Sequence, residues 1–589
     1  MPSYVRDGAT RFSRVGAICF ALLCATAAAA TLAQAGLNTG FDIWDGFAVA
    51  LIALTTAWLA WGAGQAFLGV PSFDPLPDMD LSNADFPATA ILVPICNENP
   101  TEVCARITAM RQSMQAANVP VDFAILSDTF DPDALIAERA ALAPLFADAS
   151  ASNPVFYRNR TDRHGRKAGN VEDFIRKSGG AYEYVVILDA DSLMEGNTIR
   201  HLVARMEADT TLGLLQTLPN IFGAGSLFGR AMQFSASFHS PVFARGLARM
   251  QGRAGPFWGH NAIARVRALS QCCGLPELSG PAPFGGTILS HDYVEAALLV
   301  RGGWRVEMDP RITGSFEEGP DNLLAFARRD RRWCQGNLQH MRLVGAPGLH
   351  GWSRFVFIQG IMAYLVSVAW GAFLIVSLLA AATNASPDYF PNAYQLFPVF
   401  PDDKTFQIVA LAFGIGVLLL LPKLAIFGEA AATGRARGFG GALRALGSVL
   451  AEILLTALIA PIMLMYQSRA VAEVFAGKDG GWPATARGEG RLTLTESWRA
   501  SRWVSLFGIV VTIAVYLLVP NLIYWLLPVT LPMSIAPLLI AVTSHPGNGR
   551  VFTTPQERVT PAVIAAYREN LRTGTAQQGS SHDPIVQPA

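Results

Sequence analysis

The chain has 589 residues, of which 51% are hydrophobic and only 15% charged. Soluble proteins average about 25% charged residues, so an ordinary soluble enzyme and a disordered chain are both excluded. Its 45 Lys and Arg balance 45 Asp and Glu, which leaves no global charge of the kind that attracts nucleic acid.

Two uncharged runs open the chain, residues 15–41 and 46–73. Each exceeds the ~20 apolar residues that cross a bilayer core. Arg6, Arg11 and Arg14 precede the first run, as in a signal peptide, but its length and the second span that follows predict an uncleaved anchor. The loop between the runs holds Asp42 and Asp45 and no Lys or Arg. The positive-inside rule therefore puts the N-terminus in the cytoplasm and the loop outside.

From about Pro87 to Gly345 the chain reads as soluble. Short apolar strands (90–94, 123–127, 185–188, 212–217) alternate with helical patterns (101–117, 197–208). That alternation predicts an α/β, largely parallel sheet, in which ligands sit beyond the carboxyl ends of the strands. Polar groups fall at those ends: Asn97 and Glu98, then Asp128, then Asp189 and Asp191. Two carboxylates one residue apart can hold Mg²⁺ or Mn²⁺ against a diphosphate, although many surface loops share that tripeptide. Asp128 can accept from a base N–H or cap the helix beginning near Asp131. Lys167 lies in a basic cluster with Arg158, Arg160, Arg163 and Arg166 that suits phosphate or is a solvated loop. Asp292 opens an apolar helix, as its cap or as a general base. Arg329 and Arg332 share a helix face with Trp333, two guanidiniums for a diphosphate beside an indole for a sugar. A juxtamembrane basic patch accounts for the arginines but not for the residues up to Asn337. The seven cysteines (Cys19, Cys24, Cys96, Cys104, Cys272, Cys273, Cys334) form no CxxC pair and predict reduced thiols, without disulfide or zinc.

Apolar runs return at 355–386, 405–422, 449–467 and 504–543. The loop with Asp388, Asp402 and Asp403 is expected outside. Those with Arg435, Arg437 and Arg444, and with Lys478, Arg487, Arg491 and Arg499, are expected inside. Residues 449–467 thus begin and end on one side, which predicts a re-entrant or interfacial segment or a short broken hairpin. Residues 504–543 suit two helices turning near Pro520. Pro528, Pro532 and Pro537 then suggest a helix lining a cavity, or an ordinary kinked one.

Val93-Pro-Ile-Cys-Asn-Glu98, Asp128, Lys167-Ala-Gly-Asn170, Asp189-Ala-Asp191, His291-Asp292 and Arg329-Asp-Arg-Arg-Trp333 stand in the order and spacing of the processive family 2 glycosyltransferases, which the chain resembles. Trp258-Gly-His-Asn-Ala262, Ser290-His-Asp292 and Arg328–Asn337, with Arg329 where cellulose synthases have Gln, are similar to the glucans biosynthesis glucosyltransferase H subgroup. The resemblance implies a GT-A fold inserted between transmembrane helices, UDP-glucose as donor, a divalent cation, and a linear β-1,2-glucan for the periplasm. By position it implies uridine on Asp128, diphosphate and metal on Asp189 and Asp191, and Asp292 as base. Arg329, Arg332 and Trp333 line the acceptor end and diphosphate, and Asn97, Glu98 and Lys167 are nucleotide contacts. Implied domains are a hairpin (1–85), a cytoplasmic catalytic domain (86–345), a membrane and interfacial region (346–544) and a cytoplasmic tail (545–589), all in the bacterial inner membrane. Partners are the glucan acceptor, the lipid bilayer and periplasmic glucan-processing proteins. Some members are longer at the N-terminus and work with acyl carrier protein; this chain starts a few residues before its first span, so that regulatory region is expected to be absent. Other products remain open, a cellulose-like β-glycan or transfer to a lipid, as does a transporter with a regulatory soluble domain. His291 and His260 are alternative bases. In the tail, residues 551–557 resemble the gating loop of cellulose synthases or cap a helix at 561–572, and disorder is expected from Gly574.

Overall fold

The computed structural model describes residues 7–37, 41–73, 86–146, 153–255, 257–383, 396–397, 405–480, 490–547 and 549–580. The acidic loop expected outside, Arg487 and the last nine residues lie outside that set.

Helices Gly8–Leu37 and Ile43–Gly69 form the amino-terminal hairpin. The two loop aspartates make its turn: Asp42 accepts from the Asp45 N–H at 2.9 Å, and Asp45 accepts from the Asp42 N–H at 3.2 Å. This reciprocal cap satisfies the first orphan donors of the second helix. Ala17, Ala21, Ala25 and Ala28 are buried along one face of the first helix. Small residues at that spacing let two apolar helices approach closely.

Among the described residues the α/β domain has ten strands: β1 (Thr89–Ile95), β2 (Asp122–Ser127), β3 (Val155–Asn159), β4 (Tyr184–Ile187), β5 (Leu193–Met194), β6 (Leu212–Gln216), β7 (Asn220–Phe222), β8 (Ala262–Arg265), β9 (Arg305–Met308) and β10 (Ser315–Glu318). A seven-stranded sheet runs β3-β2-β1-β4-β8-β6-β9, and a small one runs β5-β10-β7. The large sheet is parallel except for β8, which is antiparallel to both neighbours. β1 packs apolar side chains on both faces, as a central parallel strand must. Helices Pro100–Ala116 and Gly196–Ala208 cover one face. The other shares its core with Ala17, Ala60 and Trp61 of the hairpin and Trp352 beyond the domain, so the sheet sits directly on membrane helices.

Among the described residues six helices are long and apolar enough to cross a membrane: Gly8–Leu37, Ile43–Gly69, Gly351–Thr383, Thr405–Ala432, Ala442–Phe475 and Leu494–Leu518. Ala442–Phe475 corrects one expectation. It is a single 34-residue helix, about 51 Å long at 1.5 Å per residue, so residues 449–467 are not a broken hairpin or a re-entrant loop. Both its ends pack on the catalytic side. Ahead of it Arg435 donates to the Phe238 carbonyl at 3.0 Å; at its far end Glu473 pairs with Arg331 at 3.3 Å, and Arg331 also reaches the Lys478 carbonyl at 2.9 Å.

Residues 504–543 do turn near Pro520, and a second break follows: Pro520–Ser534 and Ala536–Ser544 meet at 59°. Pro532 and Pro537 are buried, against the expected cavity lining, because the bend packs on Leu494–Leu518. Ser505 donates to the Ser534 carbonyl, and a Cβ on Gly508 would stand 2.7 Å from Met533 Cβ. The proline-broken backbone is thus satisfied by a neighbouring helix.

The tail folds back onto the catalytic domain. Thr554 and Glu557 cap a short turn, and Ala562–Ser580 follows as a helix where disorder was expected from Gly574. Val563, Ile564 and Tyr567 join the core under β1. Phe552 is buried against Phe234 and Phe439 rather than lying over the site.

Candidate active site

The register of β1 on β2 pairs Ile95 with Ser127, which brings the loops after both strands together. The Asp128 N–H donates to the Ile95 carbonyl at 2.8 Å. Asp128 is not the cap of the next helix; Asp131 is, accepting from the Ala134 N–H at 2.8 Å. The Asp128 carboxylate instead receives a bidentate Arg160 at 2.6 and 2.8 Å, and Asn170 at 2.9 Å. Arg158 is similarly engaged, with Asp173 at 2.8 Å. Of the basic cluster, Arg163, Arg166 and Lys167 reach the cavity wall. Glu98 is on that wall, its carboxylate bonded to the Cys96 N–H. Asn97 is not; it sits at φ +60 and its N–H donates to Thr129 Oγ1 at 2.9 Å, so it shapes the loop.

Asp189 and Asp191 stand just beyond β4. Lys167 Nζ bonds Asp189 and, at 2.7 Å, the Gly259 carbonyl. The turn is braced from below. The Asp189 N–H donates to Ser192 Oγ at 3.0 Å, Ser192 donates to Asn261 Oδ1 at 2.6 Å, and Asn261, fully buried, donates to Ser315 Oγ at 2.8 Å. The Trp258–Ala262 motif therefore holds the carboxylate turn. Its His260 lies 3.5 Å from Glu317. Burial works against a charged imidazole there, but Asp189, Glu317 and Asp191 outweigh it and hold His260 above its ordinary pKa.

Asp292 is in the first turn of His291–Arg301, whose N-cap position is Ser290, so it is not the cap. It abuts Gly259, at φ +86, where a Cβ would lie 3.5 Å from its own Cβ. Burial raises the Asp292 pKa above the usual carboxylate range; Glu295 adds to this and His291 opposes it. A carboxylate so poised is a better proton acceptor than a solvated one.

Helix Leu323–Gln339 presents two faces. Arg329, Arg332, Trp333 and Asn337 line the cavity, with the Arg329 guanidinium 4.6 Å from the Trp333 ring. On the other face Asp330 accepts from Tyr364 at 3.2 Å and Gln467 at 3.0 Å, which ties the arginine helix to two membrane helices. Gly336 permits close contact with the Asp292 helix: a Cβ there would stand 2.2 Å from Ser290 Oγ.

Of the site residues expected from sequence, Glu98, Asp128, Lys167, Asp189, Asp191, Asp292, Arg329, Arg332 and Trp333 line one cavity of about 1540 Å³, and Asn97 does not. It continues from the carboxylates to Trp58, Gln359, Glu452, Thr456 and Ile459 on the membrane helices. Sequence reading missed Glu317, Glu318, Arg106 and Tyr567 on or beneath its wall. Arg106 had a local signal: it falls between Val103, Ile107 and Met110 on the buried face of its helix, where a charge needs a reason.

Among the described residues no three His, Cys, Asp or Glu side chains converge as a closed metal cage. Asp189 and Asp191, open to the cavity, instead fit a hard cation that takes its other oxygens from a diphosphate and water.

The sheet order, the paired carboxylates at the end of β4 and the second sheet carrying Glu317 define a GT-A glycosyltransferase. Residues 90–273 match glycosyl transferase family 2, and residues 184–421 match glycosyl transferase family group 2. The chain belongs to the glucans biosynthesis glucosyltransferase H family: it is 52% identical over 569 residues to that protein of Cereibacter sphaeroides, covering 95% of each. It is 38% identical over 556 residues to that of Xylella fastidiosa, covering 90% of this chain and 86% of the relative. Among solved structures it is similar to a mannosyltransferase of Pyrobaculum calidifontis in complex with GDP-Man and Mn²⁺, with 17% identity, a TM-score of 0.44, and coverage of 74% of this chain and 100% of that one. The protein is thus a multi-pass membrane enzyme of the glycosyltransferase class.

Proposed function

We propose that the protein transfers glucose from UDP-glucose to a growing linear β-1,2-glucan and passes the product outward across the bacterial inner membrane. The observation that carries this reading is the single cavity running from Asp189, Asp191 and Asp292, past Arg329, Arg332 and Trp333, to the membrane helices. A transferase to a small diffusible acceptor needs no such continuation.

Asp128, with Arg160 and Asn170, orients the uracil end, and Glu98 and Lys167 contact the nucleotide. Asp189 and Asp191 would hold Mg²⁺ or Mn²⁺, which would supply charge neutralisation for the departing UDP. Arg329 and Arg332, which line the same cavity, bind the same diphosphate. Trp333, 44% exposed, offers its indole face to the acceptor sugar. Asp292 takes the proton of the acceptor hydroxyl as that oxygen attacks the anomeric carbon from the face opposite the diphosphate. Displacement inverts the α-linked donor to a β product, and one carboxylate suffices because the leaving group needs no acid.

The catalytic domain is read as cytoplasmic, where nucleotide sugars are made, with domains at 1–85, 86–345, 346–544 and 545–589. Ala442–Phe475 lies along the membrane interface beneath it. The partners that follow from this reading are the glucan acceptor and the bilayer. The test is UDP release from UDP-glucose by purified protein with Mg²⁺. The expected result is acceptor-dependent release that EDTA and Asp191→Ala abolish; full activity of folded Asp191→Ala overturns the site.

A further inference from the structure

The guanidinium of Arg106 lies buried beneath the carboxylate turn, its side chain only 2% exposed. It donates to the Ala190 carbonyl at 3.3 Å, the residue between the two aspartates. It also pairs with Glu102 at 3.1 Å and Glu318 at 2.8 Å. The fourth partner comes from the far end of the chain: Tyr567 Oη accepts from Arg106 at 3.0 Å and reaches Glu318 at 3.4 Å. The guanidinium also sits 4.9 Å from the centre of the Tyr567 ring. Glu102, Glu318 and Tyr567 are themselves on the cavity wall.

A buried guanidinium cannot discharge by losing its proton, so its direction is fixed by the acceptors around it. Here two carboxylates and a phenol fix it, and it in turn fixes a carbonyl whose neighbours are Asp189 and Asp191. We propose that Tyr567, carried by the C-terminal helix Ala562–Ser580, is a positioning residue for the Asp189-Ala190-Asp191 turn, which makes that helix part of the diphosphate site. Docking and positioning are separable within the helix. Val563 and Ile564 are buried in the core and supply the docking, whereas Tyr567 alone of the three carries a polar group to the turn. The proposal rests on the reading of Asp189 and Asp191 as the metal and diphosphate carboxylates.

The test is UDP binding to the purified full-length protein by calorimetry, with and without Mn²⁺, alongside thermal unfolding. The quantity of interest is the gain in UDP affinity that Mn²⁺ brings. Tyr567→Phe keeps the ring and loses the hydroxyl's bonds to Arg106 and Glu318, so the gain should shrink about 3- to 10-fold, while metal-free UDP affinity, which depends on the Asp128 end, stays unchanged. Arg106→Gln loses charged bonds and should shrink it roughly 10- to 100-fold. Ile564→Ala loosens the docked helix without touching the turn; it should lower the unfolding midpoint and keep the Mn²⁺-dependent gain. If Ile564→Ala loses the gain as fully as Tyr567→Phe, the helix only packs and the proposal falls. If Asp191→Ala abolishes the gain but Tyr567→Phe matches wild type, the proposal falls and the site reading stands, whatever Arg106→Gln does. If Asp191→Ala retains the gain, both fall.

Discussion

Asp292 carries the proton chemistry of the proposed reaction, and its surroundings make that role testable apart from folding. Because it occupies the first turn rather than the cap position, Asp292→Asn keeps shape and hydrogen-bonding capacity and removes only the basic oxygen. Turnover should fall roughly 10²–10⁴-fold while UDP binding persists, since the proposed nucleotide contacts Asp128, Asp189 and Asp191 are left intact. Near-normal turnover by folded Asp292→Asn would move the search for a base to His291 and His260. The raised pKa of Asp292 adds a pH signature. A base must be ionised to act, so turnover should be lost as pH falls through that raised value, above the ~3.9 of an ordinary aspartate. A pH–rate profile of the purified protein measures this; an acid limb at or below the ordinary range contradicts the buried, proton-accepting role.

At the scale of elements, the arginine helix and the Asp292 helix are held in contact by the missing side chain of Gly336. Gly336→Ala forces one of them to move, so it should destabilise the protein by about 1–3 kcal/mol and reduce turnover while leaving metal-free UDP binding intact. Wild-type unfolding and turnover would show that the contact is not constraining. The helix Ala442–Phe475 makes a topological prediction, because both ends contact the catalytic side. A cysteine placed at Lys478 should be inaccessible to an impermeant thiol reagent in intact cells; labelling there would make the helix a full crossing. Charge placement alone had put both ends of this segment on one side, because Arg444 and Lys478 flank it. That it is one continuous helix was not legible from charge placement, which locates the ends and not the path between them; within the helix Glu452 is buried and paired with Lys423 at 2.5 Å. The strands ending at Asp128 and Asp189 were legible because each is an apolar run closed by an acid. β8 and β10 were not, being four residues each with no alternation of their own. Nor was the knot under Ala190, since its members lie 212 and 461 residues apart and only the folded chain joins them.

The whole molecule joins a transferase site to a membrane assembly through shared packing. Trp61 of the hairpin and Trp352 of the next membrane helix belong to the core of the catalytic sheet. Asp330 binds Tyr364 and Gln467 on two further faces of the bundle. Glycines make one such seam possible: a Cβ on Gly246 would stand 1.8 Å from the Gln65 carbonyl, and one on Gly69 equally close to that of Val242. The catalytic domain therefore cannot shift far from the bundle without breaking cores on both sides, and the proposed elongation at Asp292 would direct the chain toward Glu452 and Thr456 along one continuous cavity. The most direct test of the account is the product itself. Purified protein supplied with UDP-[¹⁴C]glucose, Mg²⁺ and a short glucan primer should release UDP and incorporate label into a polymer whose linkage and anomeric analysis gives β-1,2 bonds, and Asp191→Ala should make none. UDP release without polymer, incorporation into lipid alone, or a polymer with another linkage or α configuration would contradict it.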